Sequence, residues 1–192
     1  METQTNTVTR ILDVAQRLAQ TRGYNGFSYA DVAVEVGIRT ASIHYHFPSK
    51  TDLGKDLLAR YLAAFRGLFA QIDRETDDPR EKLARYVRAI ADSLLDGGRM
   101  CLGGMMAADI ATLPPSLGDE VRSFVAANES WLAGVLTAGG DAGVFRLAGP
   151  PETEARLFFA SIEGVLLVSR AFADPDRFTM LATRLLISLE VR

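Results

Sequence analysis

The sequence has little of several features that define large protein classes. Its 192 residues include one cysteine, Cys101, so an intrachain disulfide is excluded and a reducing compartment is expected. Its purely apolar stretches, such as Val165–Val168, are far too short to cross a bilayer. Residues 1–9 are polar and lack the apolar core of a secretory signal. We therefore expect a cytoplasmic protein without a membrane segment.

The alternation of apolar and polar residues that marks β-strands is also absent, and no internal repeat is evident. Instead, apolar residues recur at steps of three and four along most of the chain. Hydrophobic residues make up 48% and charged residues 23%, which is the balance of a folded protein. The sequence therefore predicts an all-α fold of about nine helices. We expect an N-terminal domain of residues 1–50 and a helical body of residues 51–192.

Capping residues and turn residues give the predicted helix boundaries. Gly23, Gly37, Gly97 and Pro175 are among the residues expected to end a helix or separate two of them. The predicted helices are Thr7–Arg22, Tyr29–Val36, Thr40–His46, Thr51–Arg74, one from Pro79 to just before Gly97, Gly103–Ala111, one from Pro114 to Ala138, Glu152–Phe172 and Asp176–Val191. Within the Gly- and Pro-rich loop 139–151, Val144 and Phe145 are expected to pack back onto the body.

The block Phe27–Lys50 holds two short predicted helices around Gly37. Ser28 and Asp31 have the spacing of a capping box at the start of the first helix. The residues expected to pack inward are Ala30, Val32, Ala33, Val36, Ile38, Ile43 and Phe47. Two short helices with a glycine turn between them are the layout of a helix-turn-helix.

The second helix of this block leaves a polar side exposed. It consists of Arg39, Thr40, Ser42, His44, Tyr45 and His46, with Lys50 following at the start of the long helix. Such donors and acceptors suit base edges and phosphates. The net charge of −3 does not argue for nucleic acid, but residues 1–60 carry seven basic and six acidic residues. The charge distribution is therefore compatible with binding to double-stranded DNA but does not by itself predict it.

At this point the chain resembles the tetracycline-repressor-like (TetR) family of bacterial regulators. The resembling residues are Ile11, Leu12, Ala15, Leu18, Ala19, Gly23, Tyr24, Phe27, Ser28, Asp31–Ala33, Val36, Gly37, Ser42–Lys50 and Leu53. The resemblance implies a recognition helix at Thr40–His46, with Ser28, Tyr45, His46 and Lys50 on the DNA backbone. It also implies a ligand-responsive regulator, in most relatives a repressor, that dimerises through its last two helices. Arg39 and His44 depart from the family pattern, so operator preference should differ there.

The resemblance further implies an inducer cavity within the body. The candidate lining residues are Phe65, Phe69, Tyr86, Met105, Met106, Trp131, Phe158 and Ile162. Few charges lie among these apolar stretches, which favours a small, mostly apolar or electrophilic effector. Cys101 has two interpretations: a small buried hydrophobe, or an electrophile or redox sensor with Arg99 close enough to favour a thiolate.

The last two helices also carry a dimerisation prediction that rests on their own pattern. The first has apolar residues on more than one side, which requires burial on two faces. We expect a homodimer built on a four-helix interface. The residues assigned to it are Phe159, Leu166, Phe178, Leu181, Leu185 and Leu189.

Other interpretations of the chain remain open. His44 and His46 could suggest a metal site, but residues two apart on a helix point away from each other. An all-α enzyme could use either histidine as a base, but the sequence contains no recognisable set of catalytic residues around them. An architectural DNA-binding protein without an effector is a further alternative, although the helical body is larger than dimerisation requires. We expect no metal ion, no cofactor, no catalytic residue and no membrane partner.

Overall fold

The computed structural model describes residues 2–190, with side chains from residue 6 onward. Within this range the chain forms nine α-helices and no β-strand, apart from an isolated bridge between Phe145 and Glu190. The all-α prediction is confirmed. The helices are α1 (Glu2–Arg22), α2 (Tyr29–Val36), α3 (Thr40–His46), α4 (Lys50–Glu75), α5 (Pro79–Leu95), α6 (Leu102–Ala108), α7 (Pro115–Asp141), α8 (Pro151–Ala171) and α9 (Pro175–Leu189).

The predicted bounds of α2 and α3 are confirmed. Helix α1 begins at Glu2 instead of Thr7, α4 and α8 differ from prediction by one residue at each end, and two further body helices end three residues from the predicted end. Helix α6 ends at Ala108, and Ile110–Thr112 forms a separate 3₁₀ turn instead of continuing it. The break falls at Asp109, whose carboxylate accepts a hydrogen bond from the backbone N–H of Tyr24 at 3.0 Å. Helix α7 continues past Ala138 to Asp141. The predicted end of the last helix, Val191, lies outside the described residues.

Contacts divide the chain into two compact units. The first contains the residues up to Leu62 together with Cys101–Phe124, and the second contains Ala63–Met100 and the residues from Val125 onward. The expected domain division near residue 50 remains a prediction. The segment Cys101–Phe124 returns to the first unit, and no local pattern in the sequence indicates this.

In the first unit, α1 packs on α2 and α6, and α2 packs on α3. Ile11, Leu18 and Val32 are fully buried between these helices. Removing such side chains from water contributes about 1.5–3 kcal/mol each. Gly103 permits a close contact, because a Cβ there would lie 2.2 Å from the ring of Phe124.

In the second unit, α5, α8 and α9 pack on one another. Phe158, Ile162, Leu166 and Phe178 are buried in this core. Phe145 is 5% exposed, so the predicted return of the 139–151 loop is confirmed for this residue. No helix in the described part of the chain combines the length and apolar character needed to cross a membrane.

Candidate nucleic-acid interface

Helix α2 begins and ends at the residues that the sequence predicts. The Ser28 side chain accepts from the backbone N–H of Asp31, and the Asp31 carboxylate accepts from the backbone N–H of Ser28 at 2.7 Å. The Ser28 hydroxyl also donates to the Asp31 carboxylate at 2.5 Å, and this bond, together with the one from the Ser28 backbone N–H, lowers the pKa of Asp31. The helix ends at Gly37, whose φ of 75° lies in the left-handed region that glycine adopts at low cost. The buried side of α2 is Tyr29, Val32, Ala33 and Val36, so the inward assignment of Ala30, which is exposed, was wrong.

Helix α3 is anchored by the two residues predicted for that role. Ile43 is fully buried and Phe47 is 2% exposed. The hydroxyl of Tyr29 donates to the backbone oxygen of Phe47 at 2.9 Å, which fixes the end of α3 to the start of α2. Burial raises the pKa of Tyr29 to about 12, so this hydroxyl stays protonated and remains a donor at neutral pH.

The opposite side of α3 carries the predicted DNA-contacting residues. Arg39, His44 and Tyr45 are exposed, and Thr40, Ser42 and His46 are half-buried. Tyr45 has 74% of its surface exposed, and its ring lies edge-on to that of His46, with 5.0 Å between the ring centroids. The ring of His44 packs on Tyr29, with 4.8 Å between centroids. One helix therefore has an immobilised apolar side and a polar, accessible side.

Lys50 has different partners from those expected. Its ammonium donates to the backbone oxygens of Tyr24, at 2.5 Å, and of Phe27. The Nζ atom also lies 4.7 Å and 4.2 Å from the ring centroids of the same two residues. Burial lowers the pKa of Lys50. This geometry disagrees with the expected phosphate contact, because the side chain turns inward and closes the loop before α2.

Sequence reasoning missed several residues that position the helix-turn-helix. Arg10 donates to the backbone oxygen of Val36 at the end of α2, and Arg17 pairs with Glu35. Both pairs join α1 to α2. They connect residues 18 and 26 positions apart, and neither local periodicity nor a capping rule can indicate such contacts.

Comparisons with known proteins agree with this geometry. The model of bacterial regulatory proteins of the tetR family matches residues 11–57. A TetR-family transcriptional regulator from Agrobacterium tumefaciens has a solved structure similar to this chain, with a TM-score of 0.94 and 33% identity. The similarity covers 97% of this chain and 99% of that one. The chain belongs to the TetR family.

Two further TetR-type regulators support the assignment. A structure from Legionella pneumophila is 32% identical, with a TM-score of 0.86, over 94% of this chain and 96% of that one. The HTH-type transcriptional regulator CymR of Pseudomonas putida is 27% identical over 188 residues, which is 93% of this chain and 84% of CymR. This TetR-family chain is therefore a DNA-binding transcriptional regulator, from a family of regulators rather than of enzymes.

Among the described residues, His44 and His46 belong to no group of side chains that could hold a metal ion. No three His, Cys, Asp or Glu side chains in this part of the chain lie close enough together to do so. His44 instead packs on Tyr29 and lies 3.4 Å from the backbone oxygen of Pro48. Both histidines therefore remain candidates for DNA contact.

The predicted effector residues are divided between the two units. Phe65, Phe69, Tyr86 and Trp131 form an aromatic cluster in the second unit, with Phe69 stacked on Trp131 at 4.7 Å. Phe158 and Ile162 are core residues there, whereas Met105 and Met106 belong to the first unit. Trp131 lines a half-open cavity of about 190 Å³ between α4, α5 and α7, and the other seven residues do not. The effector pocket remains a prediction.

Cys101 is buried and is the N-cap of α6. Its sulfur accepts from the backbone N–H of Gly104 at 3.5 Å. The guanidinium of Arg99, which was expected to favour a thiolate, pairs with Asp96 at 2.9 Å. These contacts suit a small capping residue, and a sensor role remains a prediction.

The residues predicted for the dimer interface are largely inside the chain's own core. Phe159, Leu166, Phe178 and Leu189 are buried, and Leu181 and Leu185 are half-buried. The assignment of the first four to a surface was therefore wrong, because α5, α8 and α9 cover one another with these side chains. The large exposed apolar residues of α8, of its C-cap and of α9 are Leu157, Leu167, Val168, Phe172, Met180 and Ile187.

Proposed function

We propose that this protein is a homodimeric repressor that inserts α3 into the DNA major groove of a palindromic operator in the cytoplasm. The observation that carries the proposal is the division of α3 into two sides. Ile43 is fixed in the core, while Arg39 and Tyr45 project from the exposed side. A helix held in this way presents its polar residues at fixed positions, which base recognition requires.

The six large exposed apolar residues of α8, of its C-cap Phe172 and of α9 support dimerisation. Single exposed apolar residues are common on protein surfaces, but six of them on two neighbouring helices and the C-cap of one indicate a binding surface. The resemblance to the family implies dimerisation through these same two helices. Pairing through a two-fold axis would place two recognition helices about 34–36 Å apart, one turn of DNA. We propose these residues as the interface in place of the buried set.

We propose a small, mostly apolar or electrophilic effector that releases the operator. Release requires that the effector bind one of two states of the dimer more tightly than the other. Helix α4 supports such a switch, because its 26 residues form one continuous helix about 39 Å long. A rigid helix of this length can change the separation of the two DNA-reading helices.

Binding to DNA is tested by fluorescence anisotropy. Operator fragments are first selected from genomic DNA with the full-length protein, and the affinity of two variants is then measured. We expect Arg39→Ala and Tyr45→Ala each to weaken binding about ten-fold or more, as the loss of one good base or phosphate contact does. Arg88→Ala is the matched control, because Arg88 is also an exposed arginine but lies on the body helix α5.

The outcomes separate the candidate functions. Equal affinity in Arg39→Ala, Tyr45→Ala and Arg88→Ala would contradict the role of α3. Selected DNA that no small molecule releases would favour an architectural protein. If electrophiles release DNA from a Cys101→Ser variant as they do from the unaltered protein, Cys101 is not the sensor.

A further inference from the structure

A second cavity lies in the second unit, where α5 and α8 end. It has a volume of about 250 Å³ and is lined by Leu94, Gly98, Ser169, Arg170, Ala173, Asp174 and Pro175. Most of its wall is apolar. The space is several times the volume of about 30 Å³ that one water molecule occupies in the liquid. It is also separate from the cavity beside Trp131, with which it shares no lining residue.

One lining residue is a buried hydroxyl without a partner. Ser169 is fully buried, and its Oγ atom has no hydrogen bond. Another serine of α8 shows the usual arrangement, since the Ser161 hydroxyl donates to the backbone oxygen of Leu157 at 2.7 Å. Leaving a hydroxyl buried and unpaired is costly, so the position of Ser169 in a cavity wall suggests that a bound group completes it.

The backbone beside Ser169 adopts an uncommon conformation. Helix α8 ends with hydrogen bonds from Ala173 N to Arg170 O at 3.0 Å and from Asp174 N to Ser169 O at 3.2 Å. This is a Schellman motif, in which glycine usually occupies the left-handed position. Here Ala173, with φ of 50°, occupies it and adds a methyl group next to the cavity.

The lining indicates the chemistry of the occupant. An enclosed apolar cavity of roughly 150 Å³ accommodates benzene. This cavity is half-open, and its volume of about 250 Å³ leaves room for one ring with a short substituent. Arg170 and Asp174 have opposite charges, and the Asp174 carboxylate already caps α9 by accepting from Arg177 N at 3.0 Å. The wall therefore favours an uncharged molecule with one hydrogen-bonding group for Ser169.

We propose that this cavity is a second small-molecule site, for an uncharged, mainly apolar compound whose single hydroxyl or carbonyl group pairs with the Ser169 hydroxyl. The site lies on the buried side of α8. Val168 and Phe172, which belong to the proposed dimer surface, are exposed. Occupancy of this site is measured without DNA, so its failure and that of the proposed operator binding are distinguishable.

The test uses the full-length protein with ¹³C-labelled leucine and alanine methyl groups. Benzyl alcohol and toluene are the probes, because they share a ring and differ by one hydroxyl group. We expect both to shift the methyl signals of Leu94 and Ala173 saturably, with benzyl alcohol binding more tightly. In Ser169→Ala the affinity for benzyl alcohol should fall about five-fold and that for toluene should stay unchanged, which is the effect of one hydrogen bond.

Ser161→Ala is the matched control, because it removes a paired hydroxyl from the same helix. It should leave both affinities unchanged. Thermal melting gives a second measurement that needs no probe: Ser169→Ala should raise the Tm by about 2–4 °C, since it removes an unpaired buried group.

Three results would overturn the proposal. One is the absence of saturable shifts at Leu94 and Ala173 with either probe up to its solubility limit. Another is an equal loss of affinity for both probes in Ser169→Ala. The third is a lower Tm in Ser169→Ala, because the hydroxyl would then have a partner within the protein.

Discussion

The short helix α3 buries its single apolar side, whereas the long helix α8 has apolar residues on a buried side and on an exposed side. In α3 the predicted anchor Ile43 is buried and the polar residues Arg39 and Tyr45 are exposed. In α8 the predicted surface residues Phe159 and Leu166 are buried instead. A short helix with one apolar side has one way to pack. A long helix with apolar residues on two sides has two, and periodicity does not choose between them.

The largest expected effect comes from two neighbouring leucines of α8. Leu166 is fully buried, whereas Leu167 is 57% exposed. We expect Leu166→Ala to lower the free energy of unfolding by about 2–5 kcal/mol, because it leaves a cavity in the core. Leu167→Ala should weaken dimerisation and change the stability of the subunit little. Chemical denaturation and analytical ultracentrifugation measure the two effects.

Each leucine is the control for the other in this pair. If Leu167→Ala destabilised the subunit as strongly as Leu166→Ala, the side of α8 that faces the core would be wrongly assigned. If Leu167→Ala left the dimer dissociation constant unchanged, the proposed interface would lie elsewhere.

A smaller effect is expected at the turn between α2 and α3. A Cβ at Gly37 would meet no atom within 4 Å, so the cost of Gly37→Ala is that of the left-handed backbone alone. We expect a loss of about 1 kcal/mol in the free energy of unfolding. Gly67→Ala is the control, because Gly67 lies inside α4 with the same open surroundings. There alanine should stabilise the protein by about 0.5–1 kcal/mol. The same sign at both positions in urea denaturation would contradict this account.

The smallest expected effect concerns the salt dependence of DNA binding. Because the Lys50 ammonium donates to the backbone oxygens of Tyr24 and Phe27, Lys50→Met should leave the slope of log K against log salt unchanged. If Lys50 contacted a phosphate, Lys50→Met would remove that contact and make the slope smaller in magnitude by about one. Anisotropy titrations at several salt concentrations, with Arg88→Ala as the control, distinguish the two.

Much of the fold and part of the candidate site could be predicted from sequence. The capping box at Ser28, the turn at Gly37 and the anchors Ile43 and Phe47 involve residues a few positions apart or one repeating side of a helix. The inward turn of Lys50 and the contact of Arg10 with α2 could not be predicted in this way. Each joins residues more than 20 positions apart, through atoms that only folding brings together.

The sequence by itself determined the helical class, the positions of α2 and α3 and the polar composition of the exposed side of α3. These follow from the short range of capping, of turn conformation and of helical periodicity. Only the tertiary structure decided which side of α8 is buried, which carbonyls the Lys50 ammonium meets and where the Ser169 hydroxyl lies without a partner. Burial and hydrogen bonding depend on neighbours from distant segments of the chain, and the local sequence pattern does not indicate which segments become neighbours.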